Sequence, residues 1–337
     1  MWSTPYTRPD KPCTPARVGG LGAKKGIGSA ALPLKIFYTD IFPIPLPEKH
    51  AFPGDKYRLL RSRITSDLGK HPVDMQVPAP AAENAILRTH DAAYVRRLFS
   101  GELTEKEIRR VGLPWSPEMV KRTRYSVGGT IAACCAALSD GVAANLGGGT
   151  HHAFHDHGQG FCWLNDAVIA ARAMQDNDLA ARILIVDCDV HQGNGTAVLA
   201  RHDPTLFTFS IHGKNNFPYR KEKSDLDIEL PNGTGDDAYL DALAKGLAAS
   251  TRRFKADLAI YLAGADPYRK DRFGRLALSK AGLARRDRLV LHHLQRAGIS
   301  TAVTLAGGYA PDVQDIVDIH YQTIETVLAL YPLFKRR

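Results

Sequence analysis

The sequence predicts an α/β fold: a single domain with a central parallel sheet flanked by helices on both faces. Short, continuous apolar runs alternate with longer Ala- and Leu-rich stretches between residues 34 and 330. Parallel strands are buried on both faces, so they read as continuous apolar runs, and alternation with helices is typical of such sheets. No Ser- or Gly-rich linker and no internal repeat interrupts this region, which indicates one domain.

The elements are assigned from the length and composition of each run. Strands are short and apolar, whereas helices need longer stretches of good helix formers. The predicted strands are residues 34–38, 142–146, 183–186, 206–211, 258–262 and 301–305. The predicted helices are residues 121–138, 165–174, 238–254, 280–297 and 313–330. Residues 1–33 are rich in Gly, Pro and Lys, so we expect a basic, poorly ordered leader before the domain at 34–337.

The composition excludes several classes of protein. With 44% hydrophobic and 23% charged residues, the 337-residue chain is unlike collagen, coiled coils and disordered chains. No apolar run approaches the roughly 20 residues that span a bilayer. The first residues also lack the apolar core of a secretory signal. We therefore expect a cytoplasmic protein that makes no membrane contact.

The net charge of +9 comes mainly from the two ends of the chain. Residues 1–35 contain six basic residues and one acidic residue, and the last three residues are Lys335, Arg336 and Arg337. The sequence between these ends is close to neutral. Basic tails attract polyanions without specificity, so nucleic acid is not expected as a partner except weakly through the tails.

Polar side chains that can carry chemistry follow four of the predicted strands. In open α/β sheets, ligands bind beyond the carboxyl ends of the strands. Each of these four strands ends in a turn that contains glycine, which allows close approach of the backbone. The residues presented in these turns are His151, His152, Asp187, Asp189, His191, Asn194, Asp266 and Tyr309.

Two of these residues are spaced to share a metal ion. On an extended segment, Asp189 and His191 point to the same side with their Cα atoms about 6–7 Å apart. Asp187 would be about 13 Å from His191, so it is expected to serve another partner. Asp266 is the best candidate for the third ligand. An Asp–His–Asp set with an open position is typical of a catalytic site, and these donors suit Zn²⁺, with Fe²⁺ or Co²⁺ as substitutes.

The remaining residues can supply proton transfer and carbonyl activation. His151 and His152 have side chains whose ordinary pKa lies near neutrality, so they can act as acid and base. A zinc ion lowers the pKa of its water to about 7. Tyr309 follows two glycines, and its phenol can donate a hydrogen bond to a carbonyl oxygen opposite the metal. These residues together predict the hydrolysis of an amide.

Four segments resemble the zinc-dependent histone deacetylase superfamily in their order and spacing. They are GGGTHHAFHDHGQGFCWLNDAVIAA, ILIVDCDVHQGNGT, AGADPYRKDRFGRLALS and LAGGY. The likeness covers residues 34–330, and Gln192-Gly193-Asn194 and DRFGRL look most like class IV and its bacterial relatives. The resemblance implies an arginase/deacetylase-like fold and a zinc deacetylase-like catalytic domain at 34–337. The implied activity is a metal-dependent removal of acetyl or longer acyl groups from the lysine ε-amine.

The resemblance also implies a zinc site with a tyrosine opposite it. Asp189, His191 and Asp266 would hold Zn²⁺. Tyr309 would polarise the substrate carbonyl. A structural monovalent cation, K⁺, would lie near Asp187, Asp189, His191 and Ser210, partly on backbone carbonyls.

The two histidines would have different roles in such an enzyme. His152 would be the general base and acid, whereas His151 would act electrostatically and bond to Asp187. Asn194 would face His152. Because an amide stabilises an imidazolium less than a carboxylate does, His152 is expected to be less basic than it is in relatives with aspartate at this position.

The resemblance implies a narrow channel for an extended acyl-lysine side chain. Its lining would be Gly160, Phe161 and Phe217. The entrance is not matched by any motif, and its candidates are His90, Asp91 and the segment 113–117.

The substrate stays open at the level of the sequence. Acyl-lysine on a protein or peptide fits the predicted chemistry, and so do acetylpolyamines or other small amides. A binuclear ureohydrolase shares the fold, but Gly193 stands where its second metal would need a carboxylate. A non-catalytic acyl-lysine binding module would lack a key group, whereas His152, Tyr309 and the three predicted ligands are all present.

Overall fold

Eight strands, all parallel, form one sheet in the computed structural model, which describes residues 33–334. The strands are β1 (Leu34–Phe37), β2 (Val73–Gln76), β3 (Val142–Asn145), β4 (Ile183–Asp187), β5 (Leu206–Gly213), β6 (Leu226–Leu230), β7 (Leu258–Ala263) and β8 (Ser300–Leu305). Their order across the sheet is β2-β1-β3-β8-β7-β4-β5-β6. The predicted fold class is therefore confirmed. The predicted leader, apart from Pro33, and the three basic residues at the end of the chain lie outside the described residues.

Helices cover both faces of this sheet. In the described part of the chain they are α1 (Lys56–Leu68), α2 (Glu83–Leu87), α3 (Ala92–Ser100), α4 (Glu105–Val111), α5 (Pro117–Asp140), α6 (Asp166–Asp176), α7 (Asn194–Ala200), α8 (Asp236–Arg253), α9 (Lys280–Ala297) and α10 (Val313–Phe334). None of the helices within residues 33–334 combines the length and the apolar character that crossing a bilayer requires.

Side chains alternate along each central strand between two apolar cores. On β4, Ile183 and Ile185 pack into the core under α3, α5 and α6, whereas Leu184 and Val186 pack into the core under α1, α8, α9 and α10. All four are buried. Because both faces of the strand are covered, the strand is apolar at every position, which is why it reads as a continuous run.

Two strands escaped the sequence analysis because they lie at the edges of the sheet. The outermost strands, β2 and β6, have the sequences VDMQ and LDIEL, and most of their residues are only partly buried. An edge strand needs no continuous apolar run, since one side of its backbone has no partner strand. The six predicted strands are present, with ends that differ from the prediction by up to two residues.

The five predicted helices are present, and five further helices in the described residues were not predicted. The missed helices are α1, α2, α3, α4 and α7. In α1 the buried side chains are few and separated by charged residues, so the segment lacks the Ala- and Leu-rich character on which the prediction relied. The helix α5 begins earlier than predicted, at Pro117, because Ser116 caps it by accepting a hydrogen bond from the Met119 N–H.

The order of the strands determines where the polar turns meet. The four strands that end in the glycine-containing turns, β3, β8, β7 and β4, are consecutive neighbours in the sheet. Because all strands run in the same direction, their carboxyl ends lie along one edge. The turns after these strands therefore form one side of the molecule, and the candidate site lies there.

Candidate active site

Three buried side chains converge at the carboxyl ends of β4 and β7. Asp189 and His191 follow β4, and Asp266 follows β7. His191 Nδ1 lies 2.9 Å from Asp189 Oδ1 and 3.2 Å from Asp266 Oδ2. One ligand atom from each residue lies within 4.8 Å of the others, and residues 33–334 contain one such group of metal-binding side chains. The structure thus brings together the three residues predicted as metal ligands.

The hydrogen bonding of the two carboxylates fits a divalent cation. Asp266 Oδ1 accepts a hydrogen bond from the Val190 N–H at 2.9 Å, whereas its Oδ2 is buried and receives none. Burial and the nearby negative charge of Asp189 raise the pKa of Asp266 to about 7. A cation between the two carboxylates would remove that repulsion, and a nitrogen-and-oxygen donor set of this kind suits Zn²⁺.

Gly307 leaves room for the three ligand atoms. A Cβ atom at this position would lie 1.9 Å from Asp266 Oδ2 and 2.5 Å from Asp189 Oδ2. Any side chain would therefore occupy the point at which the ligands meet. The backbone N–H of Gly307 also donates a hydrogen bond to Asp189 Oδ2 at 2.8 Å, which fixes the direction of that carboxylate.

The first histidine of the pair is held by an aspartate behind it. His151 Nδ1 donates a hydrogen bond to Asp187 Oδ2 at 2.6 Å, and both residues are buried. Burial disfavours the charged imidazole, but the negative charges of Asp187 and Asp189 outweigh it and raise the pKa of His151 to about 9. His151 is therefore a cation near neutral pH, and Asp187 contacts it, as the resemblance implied.

The second histidine is neutral and has a defined tautomer. His152 Nδ1 donates a hydrogen bond to Asn194 Oδ1 at 2.7 Å. Burial, followed by the positive charges of His151 and His191, lowers the pKa of His152 well below its usual range. In the neutral ring the proton is on Nδ1, because only Nδ1–H can donate to the carbonyl oxygen of Asn194. Nε2 is then free to accept a proton.

Tyr309 lies on the turn after β8, beside the metal-binding group. Its ring centre is 6.4 Å from that of His191. Its backbone N–H donates a hydrogen bond to Asp271 Oδ2 at 2.6 Å, which ties the β8 turn to the loop after β7. Burial, with the nearby charges of Asp189 and Asp266, raises the pKa of Tyr309 well above its usual range. Its hydroxyl is therefore protonated and can act as a hydrogen-bond donor.

The three residues predicted to form the channel line a funnel that reaches the site. Gly160, Phe161 and Phe217 lie in its wall, together with His152 and Tyr309 at its inner end. Gly160 has φ +54°, and a Cβ atom there would lie 2.6 Å from His152 Cδ2. Glycine is required here for two reasons: the backbone has a positive φ, and a side chain would collide with the His152 ring. The Phe217 ring meets His152 edge-on, with ring centres 4.9 Å apart.

The prediction that His90 and Asp91 lie at the entrance is wrong. His90 is buried, where Nδ1 donates to the Phe154 carbonyl at 2.8 Å and Nε2 accepts from the Asn165 N–H at 3.0 Å. Asp91 caps α3 by accepting from the Tyr94 N–H at 2.9 Å. Both residues serve local structure, since capping and loop anchoring use the same polar side chains as binding sites.

The segment 113–117 also contributes mainly to structure. Leu113 lines the inner pocket beside the histidine pair. Trp115 donates its indole N–H to the Leu98 carbonyl at 2.7 Å, and Ser116 caps α5. This segment therefore holds the wall of the inner pocket in place and does not form the outer entrance.

Two residues that position the site were missed by the sequence analysis. Gln159 Oε1 accepts a hydrogen bond from Asn194 Nδ2 at 2.9 Å, which fixes the Asn194 amide with its oxygen toward His152. Arg286 on α9 is fully buried, and its guanidinium donates to the carbonyls of Cys188 and Gly264. The sequence carries no clear signal for Arg286, because it lies in a run of charged residues on α9, Arg285-Arg286-Asp287-Arg288.

Comparison with known proteins identifies a matching family and several relatives of this chain. Residues 50–324 match the family described as the histone deacetylase domain. The chain is 46% identical to an uncharacterized protein of Picosynechococcus over 285 residues, covering 85% of this chain and 95% of that protein. It is 28% identical to histone deacetylase 2 of Arabidopsis thaliana over 288 residues, covering 82% and 74% of the two chains.

A solved structure shows the same fold. The crystal structure of the HDA15 HD domain superimposes with a TM-score of 0.74 and covers 88% of this chain and 90% of its own. The sequences of the two chains are 21% identical. This likeness supports the single α/β domain with its parallel sheet.

Proposed function

The chain belongs to the histone deacetylase family, and from that premise we propose that it is a lysine deacylase that hydrolyses the amide of an acylated lysine ε-amine. The observation that carries the proposal is the convergence of the three metal-binding side chains, a neutral histidine and a protonated tyrosine at the inner end of one funnel. These groups are the parts that hydrolysis of an unactivated amide requires. The motifs Gln192-Gly193-Asn194 and DRFGRL further favour a class IV-like member of the family.

Two ions belong to the proposal. Asp189, His191 and Asp266 would hold Zn²⁺, which when bound would make water more acidic and polarise the amide carbonyl. K⁺ as a structural ion near Asp187, Asp189, His191 and Ser210 is a further part of the proposal. The pairing of β4 with β5 supports this ion, because it places Asp187 directly beside Ser210.

His152 would transfer the proton in both halves of the reaction. Nε2 of the neutral ring accepts a proton from the water that attacks the amide carbon. When the carbon–nitrogen bond breaks, the same nitrogen donates that proton to the departing lysine amine, and the acid and the free amine are released. The bond from Nδ1 to Asn194 keeps the ring oriented through both steps.

His151 and Tyr309 would stabilise charge without exchanging protons. The positive charge of His151, held by Asp187, lies next to His152, with 4.1 Å between the ring centres, and keeps that neighbour neutral. The hydroxyl of Tyr309 would donate a hydrogen bond to the carbonyl oxygen as negative charge develops on it. A donor placed in this way favours the transition state over the substrate.

We predict that Gln159 affects turnover through the orientation of Asn194. In Gln159→Met, the Asn194 Nδ2 group loses its hydrogen-bond acceptor, so the amide can turn its nitrogen toward His152. We expect kcat to fall by about 2- to 10-fold, which corresponds to the free energy of one hydrogen bond. Gln159→Glu keeps an oxygen acceptor at the same place and should retain most of kcat. Steady-state kinetics of the two variants would measure this, and equal kcat values for Met and Glu would contradict it.

The proposed function is tested by a panel of acylated substrates with the zinc-loaded enzyme. The panel contains acyl-lysine peptides of increasing acyl length together with acetylpolyamines. We expect release of the acid from at least the acetyl-lysine peptide, with loss of activity after chelation and recovery after zinc is returned. Failure to cleave any acyl-lysine peptide, or cleavage of acetylpolyamines alone, would overturn the proposal of a lysine deacylase.

A further inference from the structure

Positively charged side chains line the outer part of the funnel. Among residues 33–334, its lining contains Arg110, Arg272 and Arg275 and no aspartate or glutamate. We propose that this rim selects acyl-lysine segments of proteins or peptides that carry acidic residues beside the acylated lysine. This inference rests on the proposed function. The same rim would disfavour cationic substrates such as acetylpolyamines. We refer to these three arginines as the basic rim.

The charges of the basic rim are not neutralised by side chains within the described part of the chain, residues 33–334. The side chains of Arg110, Arg272 and Arg275 are exposed, and within residues 33–334 none of them makes an ion pair or a side-chain hydrogen bond. The neighbouring Arg109 differs, because it pairs with Glu105 at 2.9 Å. The three guanidinium groups are therefore available to an incoming ligand.

The acidic side chains close in sequence to the rim arginines are engaged by other partners. The Asp271 carboxylate is turned inward, where it accepts hydrogen bonds from the backbone N–H groups of Tyr309, Phe273 and Gly274. Glu107, three residues before Arg110, pairs with Arg97 at 2.9 Å. Charges that are already engaged in this way add little to the potential felt by a substrate at the mouth of the funnel.

Two exposed aromatic side chains favour a peptide as the occupant of the mouth. Tyr219 is 82% exposed and Phe273 is 37% exposed, and both line the same funnel as the basic rim. Aromatic and arginine side chains together are enriched where proteins contact other polypeptides. An acidic peptide can use both features, whereas a polyamine offers little apolar surface and carries amines that are protonated at neutral pH.

The charge of the rim should change affinity measurably. An exposed ion pair contributes a factor of about 2 to 5 in affinity, and a cleft lined by one sign of charge concentrates ligands of the opposite sign. Three such contacts give roughly a tenfold preference for an acidic over a basic peptide. The preference should decrease with added salt, because the rim is exposed to solvent.

The experiment compares two fluorescent peptides of equal length that differ only at the positions flanking acetyl-lysine, aspartate in one and lysine in the other. For binding, a methylene replaces the ε-nitrogen so that the bond cannot be hydrolysed. The dissociation constants are measured by fluorescence anisotropy on the zinc-loaded chain of 337 residues. We expect the acidic peptide to bind about tenfold more tightly, and the ratio to fall toward one in the combined variant Arg110→Gln, Arg272→Gln and Arg275→Gln.

The matched control is Arg109→Gln, which removes a neighbouring charge that is outside the rim and should leave the ratio unchanged. Cleavage of the corresponding acetyl-lysine peptides separates this inference from the proposed function. If neither peptide is cleaved but the acidic one binds more tightly, the rim is supported and the deacylase proposal fails. The proposal of an acid-selecting rim is overturned if both peptides are cleaved and bind with equal affinity. It is also overturned if the basic peptide or acetylspermidine binds more tightly, or if the triple variant still binds the acidic peptide more tightly.

Discussion

Asp266→Ala is expected to abolish metal binding and activity together. Within residues 33–334, Oδ2 of Asp266 is a buried carboxylate oxygen that accepts no hydrogen bond. Asp266 follows β7, whereas Asp189 and His191 follow β4. Its loss would leave two ligands on one turn, which is too few for a catalytic zinc site. We expect kcat/KM to fall by at least about 10³, corresponding to several kcal/mol of transition-state stabilisation.

Metal content and activity must be measured on the same preparation of this variant. Asp237→Asn is a suitable control, because Asp237 is an exposed acidic residue on α8 that pairs with Arg285. The control should bind metal and turn over substrate as the unmodified chain does. An Asp266→Ala protein that is folded by circular dichroism and still binds zinc stoichiometrically would contradict the assignment of this ligand.

Tyr309→Phe should lower kcat strongly while the metal stays bound. The substitution removes only the hydroxyl, so the ring contacts with Phe161 and Phe273 can persist. Loss of one donor to the developing oxyanion costs on the order of 10²–10³ in kcat. Because the donor acts mainly in the transition state, KM should change much less than kcat.

The control for this variant is Tyr38→Phe, which lies outside the funnel. The Tyr38 ring packs against the Arg61 guanidinium, so removal of its hydroxyl should leave kcat close to the original value. Turnover by Tyr309→Phe within a few-fold of the original would mean that Tyr309 does not donate to the reacting carbonyl.

The positions of the site residues could be predicted because they follow directly from the fold. Once the strands are assigned as parallel, their carboxyl ends must lie on one edge, and the polar turns after β3, β4, β7 and β8 must meet there. The parallel direction of the strands, and not the local spacing, brings these residues together, because β4 ends at Asp187 and both Asp189 and His191 lie in the bend after it.

The supporting contacts could not be predicted because they join distant parts of the chain. Gln159 and Asn194 are 35 residues apart, and Arg286 and Cys188 are 98 residues apart. Nothing in the local pattern around Gln159 distinguishes it from other polar loop residues. The positive φ of the adjacent Gly160 contributes to the path of this loop, and a single sequence does not reveal such a conformation.

The edge strands and the entrance were missed for a related reason. β2 and β6 contain charged residues because half of their environment is solvent, so periodicity gives a weak signal. The entrance is built from loops, and polar residues in loops serve caps and turns as often as ligands. His90 and Asp91 illustrate this, since His90 anchors the loop after β3 and Asp91 caps α3.

The number of zinc ions bound per chain, measured by metal analysis and matched to an activity titration, tests the central claim most directly. The claim is that one cation, shared by Asp189, His191 and Asp266, serves a single reaction centre. We predict that acetyl-lysine hydrolysis rises with added zinc and reaches its maximum at one equivalent per chain. Two catalytic metal ions per chain, or full activity in protein stripped of all metal, would contradict it.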